Sequence, residues 1–424
     1  MKYKYITIKN FFFLFFTISY ILGFFLRENI AGGAEADFLN FTWPVILSFK
    51  QDFYFTIKNY GSFGEGSLPL FHIINAYFNP FSFDQFFFQF SVSIISILNV
   101  IIFSQIIEKK YGLKKSDALL YASIFLILPF FRSSAFWGIT ENFGWLFLLL
   151  SIKYYNLYEQ KKFSNEIKII FLICLFSSFA LYIRPYLVFF PIFVVLKSLI
   201  LKDATLLKFS VLFYLLFSIP GLQLMYIWEG IFKIGNNEIN LIQDFHNPKF
   251  ILKNLVIFAS LFFFYSLPFQ LMRKLNYTKK RLIYFFVIFS ALIILNYLNI
   301  FEYLYSIKLG GGVFLKINNF LFDGNLIFFL TISSLGILTI YNYFILSKKN
   351  RILLICLIVF CFPKYILQEY FEPLILVILF TLIDLGTKNL KIFHQKKVLF
   401  IFCIYFTTYY FGSFYYRYFL FPIN

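Results

Sequence analysis

Charge is scarce in this sequence. Only 38 Lys and Arg and 20 Asp and Glu are spread over 424 residues, 14% of the chain, whereas 60% of positions are hydrophobic. A soluble domain carries roughly 25% charged residues to solvate its surface, so soluble folds are excluded and the bilayer must cover the apolar excess. Cysteine is also rare. Cys174, Cys356, Cys361 and Cys403 all fall inside apolar segments with no paired spacing, so neither a disulfide framework nor a metal site is implied. There are three histidines, none with a companion at ligand spacing. Internal repeats, low-complexity linkers and a soluble terminal domain are missing. So is a phosphate-cradling glycine loop in the right context: Gly61-Ser62-Phe63-Gly64-Glu65-Gly66 follows no strand, and Gly310-Gly311-Gly312 sits in a loop. Aromatics are abundant, with 68 Phe and 31 Tyr, but abundance alone assigns no function.

Apolar stretches of membrane-spanning length lie near 10–27, 86–107, 118–131, 138–155, 167–183, 186–200, 208–228, 251–271, 282–299, 326–346, 352–363, 371–387 and 398–413. The fold expected is all-α, a single polytopic membrane domain over residues 1–424 with about thirteen transmembrane helices, within a range of 12–14. Lys2, Lys4 and Lys9 ahead of an apolar run, with Ala34-Glu35-Ala36 behind it, imitate a signal peptide. The length of the run and the Arg27-Glu28 pair after it suit an uncleaved first helix better.

Alternate loops differ sharply in charge. With the N-terminus placed inside, the inner segments hold 26 basic and six acidic residues, and the outer ones 12 basic and 14 acidic. Cytoplasmic loops retain Lys and Arg, so the N-terminus is expected in the cytoplasm and the C-terminus outside, as in a protein of the bacterial plasma membrane. The formal net charge of +18 is then a topology signal. Clusters such as Lys279-Lys280-Arg281 flank spans and meet anionic lipid, and no nucleic-acid partner is expected.

Polar chemistry concentrates on the outer side. The first outer loop, 28–85, is the longest and holds six acids, Glu28, Glu35, Asp37, Asp52, Glu65 and Asp84. Its half-apolar stretches near 38–49 and 68–78 read as helices lying in the membrane interface. Trp43, Trp137, Trp145 and Trp228 fall in or near outer connections, as an interfacial aromatic belt does; the alternative is rings on which a sugar stacks.

Within this frame several residues stand out. Glu35 and Asp37, just beyond the first span, can accept a proton from an acceptor hydroxyl; the plain alternative is two solvated acids. Arg184, in Tyr182-Ile183-Arg184-Pro185, sits between two apolar spans with almost no loop to solvate it. A charge at that depth costs about 2.5–3.5 kcal/mol on insertion scales, and a guanidinium there can hold a phosphate with two hydrogen bonds or snorkel to headgroups. Arg132 and Glu141 flank a short outer loop and form, on the simplest reading, an ion pair. Glu369 and Glu372 open the twelfth span three residues apart, on one helix face. His72 and His246 are lone outer histidines. No protein-only metal cage is expected and no cofactor is required, although a divalent cation shared between an acid and a substrate phosphate stays open.

A first helix, a long outer loop with acids almost at once, interfacial helices in that loop and a dozen further spans with short inner loops together resemble the GT-C glycosyltransferases. Local stretches, Glu35-Ala36-Asp37-Phe38, Leu181 to Tyr186 and Gln368 to Pro373, are similar to the dolichyl-phosphoglucose-dependent alpha-1,2-glucosyltransferases. The chain departs from them in lacking a clean histidine after the first-loop acids. The resemblance implies transfer of a hexose, glucose first, from a polyprenyl-phosphate sugar to a glycan acceptor on the outer face. It gives Asp37 as base with Glu35 second, and Arg184 at the phosphate, assisted by Arg132 or Lys364. A polysaccharide polymerase or ligase and a flippase or transporter are the alternatives. The last predicts broken helices and internal repeats.

Overall fold

The computed structural model describes residues 2–64, 67–161, 165–230, 233–234, 237–238, 248–272, 279–301, 304, 311–323, 325–360, 368–386 and 391–420. His246, Lys364 and Cys361, named above, lie outside them. Among the described residues the chain is helical apart from loops and two two-residue strands, Lys233–Ile234 and Asn237–Glu238, paired antiparallel. It divides into two compact units, Met1–Ile239 with Cys403–Asn424, and Asn240–Phe402.

Seven described helices are long and apolar enough to cross a membrane, and a bent pair brings the number to eight if its two halves are counted as one span. In the first unit these are α1 (Lys2–Phe25), α6 (Gln85–Tyr111), α10 (Glu166–Ile183) and α12 (Ala204–Ile227). Local chemistry sets their ends. Arg27, at φ 51°, stops α1 in left-handed backbone. Asp84 caps the start of α6 by accepting from Phe86 N and Phe87 N, and Gly112, at φ 63°, closes its far end. A residue without Cβ takes that backbone at no steric cost.

The bent pair joins α7 (Lys115–Ser123), extended by one 3₁₀ turn to Ile127, to α8 (Pro129–Trp137) at 70°. The break falls at Leu128, which is extended and precedes Pro129; proline bars α backbone in the residue before it. The stretch read as the span 118–131 is therefore a broken one. Loop 28–85 is itself helical: α2 (Ala34–Asp37), α3 (Trp43–Gln51), α4 (Phe53–Lys58) and α5 (Leu70–Tyr77). The two stretches expected to be helices are α3 and α5, and they pack on each other. Two further helices complete this unit before α12, α9 (Glu141–Glu159) and the shorter apolar α11 (Phe189–Ile200).

In the second unit α13 (Pro248–Met272), α14 (Lys279–Tyr297), α15 (Val313–Leu321), α16 (Ile327–Phe344) and α17 (Lys348–Phe360) follow in order. The twelfth expected span is not a spanning helix. It consists of α18 (Leu374–Val377) and a π turn, Ile378–Leu382, nine residues that rise about 14 Å at 1.5 Å each against a hydrocarbon core of about 30 Å. The helix stops because Asn350 takes over the backbone: its side chain accepts from Asp384 N at 2.9 Å and donates to Asp384 O at 2.9 Å. The final helix, α19 (Lys396–Tyr415), contributes its residues from Cys403 onward to the first unit.

Candidate functional site

Two guanidinium–carboxylate pairs, one fully and one partly buried, lie in the first unit, and they differ from the expected Arg132–Glu141 pairing. Arg132 is fully buried and pairs with Glu28, through Nε to Oε1 at 2.7 Å and Nη2 to Oε2 at 2.5 Å. Its Nη1 donates to Leu126 O at 2.7 Å and Ser19 Oγ at 3.1 Å, and Nη2 also reaches Ser19 O at 2.9 Å. Tyr410 closes the group, its hydroxyl donating to Glu28 Oε2 at 3.1 Å and its ring 4.8 Å from the guanidinium carbon. Each guanidinium nitrogen thus has an acceptor within the protein. The break at Leu128 contributes directly, because it frees Leu126 O to accept.

Arg184 follows α10 in extended backbone and pairs with Glu141, the first residue of α9. Gly144 makes this approach possible: a Cβ there would lie 3.2 Å from Arg184 Cγ and 3.3 Å from Leu187 Cδ1. Glu141 is 5% exposed, and its second oxygen faces the Ser134 hydroxyl at 3.4 Å. Arg184 Nε is buried without a hydrogen-bond partner.

Beside the turn that carries Arg184 lies an apolar cavity of about 470 Å³ between α10, α11 and α12, within the range of small-molecule sites. Ser178, Leu181 and Tyr182 of α10 line one wall, and Phe217, Ser218 and Leu222 of α12 another. Tyr182 fixes these walls. Its hydroxyl donates to Phe217 O at 2.7 Å and accepts from Gly221 N at 2.9 Å, standing where the i to i−4 bond of α12 would run. Such an insertion next to Pro220 is a recognised cause of a helix bend. Leu222 and Met225 line the cavity and are also exposed, so the cavity is open past these two side chains.

Leu68 and Trp228 line the end of the cavity nearest loop 28–85. Trp228 Nε1 donates to Ile57 O at 2.7 Å, and its ring stacks on Tyr60 at 5.9 Å. The Tyr60 hydroxyl bonds His72 Nδ1 at 3.0 Å. His72 is therefore a fully buried partner of the loop's own packing. An aromatic cluster continues from it: Phe71 meets Phe143 at 4.9 Å and Phe88 at 6.4 Å, and Phe88 stacks on Phe38 at 5.9 Å. Asp37, His72 and Glu141 each stand within two residues of a ring in this cluster. Glu35 and Asp37 are exposed on the four-residue α2.

The tryptophans depart from the expected belt. Trp43, Trp137 and Trp145 are buried, Trp137 donating to Glu28 O at 3.2 Å. Glu369 and Glu372 also differ from the reading as one helix face, since they precede α18 on a 3₁₀ turn and the bend after it, in the second unit. Glu372 is 1% exposed and accepts from the Tyr265 hydroxyl at 2.6 Å, while Gln368 Nε2 donates to that hydroxyl at 2.9 Å. Sequence reasoning missed Tyr182, Gly144, Tyr60 and Tyr265. Only Gly144, a glycine inside an apolar span, left a trace. Among the described residues no three His, Cys, Asp or Glu side chains gather as a metal site.

Compared with family models, curated proteins and solved structures, the chain matches none.

Proposed function

We propose that this protein is a membrane glycosyltransferase of the GT-C kind, which binds a polyprenyl-phosphate hexose and passes the sugar, glucose first, to a glycan acceptor on the extracytoplasmic face of a bacterial plasma membrane. The observation that carries the reading is the apolar cavity open past Leu222 and Met225, beside a turn bearing a partly buried arginine. An amphiphile with an anionic head and a long hydrocarbon chain needs both. The chain enters from the bilayer past Leu222 and Met225, and the phosphate meets Arg184. The acceptor hydroxyl attacks the anomeric carbon, the lipid phosphate leaves with the bonding electron pair, and Asp37, or Glu35 in its stead, takes the hydroxyl proton. Cations near the leaving phosphate stabilise the charge it gains. With loop 28–85 outside, the lysine-rich connections face the cytoplasm.

Filling the cavity tests this. Ser218→Trp places an indole in the space meant for the lipid chain, so transfer from a polyprenyl-phosphate sugar falls at least tenfold at equal protein level. Transfer at the wild-type rate would remove the cavity from the mechanism. One observation favours a second reading: the 70° break at Leu128 suits a translocator of lipid-linked sugars, whose substrate sites form at interrupted helices. A translocator moves the intact donor across sealed vesicles and releases no polyprenyl phosphate.

A further inference from the structure

Arg132 and Arg184 each meet a buried glutamate through Nη2, and their Nε groups fare differently. Glu28 occupies both Nε and Nη2 of Arg132. Glu141 meets Nη2 of Arg184, and the Nε next to it is buried with no acceptor. An orphaned charged donor is costly, because it has given up water without gaining a hydrogen bond in its place. Glu141 is no better satisfied, since its remaining oxygen has the Ser134 hydroxyl at a long 3.4 Å. The arginine gains from a group whose oxygens span Nε and Nη2, the geometry in which a phosphate meets arginine, and the weakly held Glu141 carboxylate is the group it must replace.

We infer that Glu141 is a placeholder for a phosphate: an organophosphate head docks on the Nε–Nη2 edge of Arg184 and displaces the Glu141 carboxylate, which keeps the guanidinium in place and neutral overall while the site is empty. The inference rests on the reading of Arg184 as the donor-phosphate residue and adds to it a competitor built into the chain. Gly144 is part of the device, because it lets the arginine stem lie flat on α9 within reach of Glu141. Binding carries the cost of opening the pair, so apparent affinity falls by the fraction of molecules in which Arg184 is already free.

The sign of the effect is the test. The full-length protein in nanodiscs of neutral phosphatidylcholine is titrated with polyprenyl monophosphate, and separately with inorganic phosphate, which distinguishes a lipid headgroup from free phosphate as the source. Glu141→Gln keeps the shape and removes the competing charge, and it tightens binding of one or both probes by about tenfold or more. Glu141→Asp withdraws the carboxylate by one carbon and gives an intermediate gain, which covers the case in which the glutamine variant fails to fold. Arg184→Gln abolishes binding. Unchanged or weaker binding in both Glu141 variants, with Arg184→Gln still inactive, would overturn the placeholder and leave the donor-phosphate reading standing. Wild-type binding in Arg184→Gln would overturn both.

Discussion

The surroundings of Arg132 and of Arg184 are built from the same parts. Each has an arginine largely withdrawn from solvent, a glutamate from another segment and a glycine on the neighbouring helix that makes room for it, Gly23 of α1 beside the Arg132 guanidinium and Gly144 of α9 beside the Arg184 stem. They differ in completeness. Around Arg132, two backbone carbonyls, a serine, a tyrosine and both oxygens of Glu28 meet the donors. Around Arg184 one nitrogen is left over. Burial marks both charges as unusual, and only the accounting of donors separates an arginine that ties helices together from one with capacity to bind something else.

The largest effect expected is on the saturated side. Arg132→Met leaves Glu28 buried without its counter-charge, and breaking such a pair costs about 3–5 kcal/mol. Thermal unfolding in nanodiscs is expected to show a large fall in midpoint for Arg132→Met and a clearly smaller one for Arg184→Met. Equal falls would erase the contrast. Next come the glycines. A Cβ at residue 23 would press on Glu28 Oε2 and the Phe136 ring, each at 2.8 Å, so Gly23→Ala costs about 1–3 kcal/mol through overpacking. At residue 144 the nearest contact is 3.2 Å, and alanine favours a helix interior over glycine by up to about 1 kcal/mol. Gly144→Ala is therefore near neutral for stability and weakens donor use by shifting Arg184. The smallest effect is that of Tyr410→Phe, which removes one hydroxyl bonded to Glu28 and lowers stability by about 0.5–1.5 kcal/mol; a null result there would mean that the ring packing alone matters.

Much of the fold was legible because hydrocarbon length and apolar runs are one-dimensional. The seven long helices stand at positions read from runs such as 86–107 and 208–228, and α3 and α5 lie in the half-apolar stretches of loop 28–85. Interruptions were not legible. The break at Leu128 was marked only by Pro129 within an apolar run, and the π turn after α18 ends at Leu382 in unbroken apolar sequence, stopped by a side chain, Asn350, some 30 residues earlier. Arg184 was visible as a charge with no loop to solvate it. Its partner was not, because Arg132 stands only nine positions from Glu141 and the nearest opposite charge was the natural choice; tertiary packing instead brings Glu28 to one and Glu141 to the other. The cavity was illegible for the same reason, since it depends on Tyr182 entering the hydrogen-bond ladder of α12.

The central claim is transfer of a sugar from a lipid phosphate, and the most direct measurement is release of polyprenyl phosphate by purified protein in lipid, given a panel of polyprenyl-phosphate hexoses and a glycan acceptor. The account predicts release from at least one donor. It also predicts a fall of about 10²–10⁴ in rate when Asp37→Asn and Glu35→Gln are combined, at unchanged protein level. Release that persists in the double variant would return these acids to the role of solvated side chains. Absence of release from every donor, by protein shown to be folded, would contradict the account.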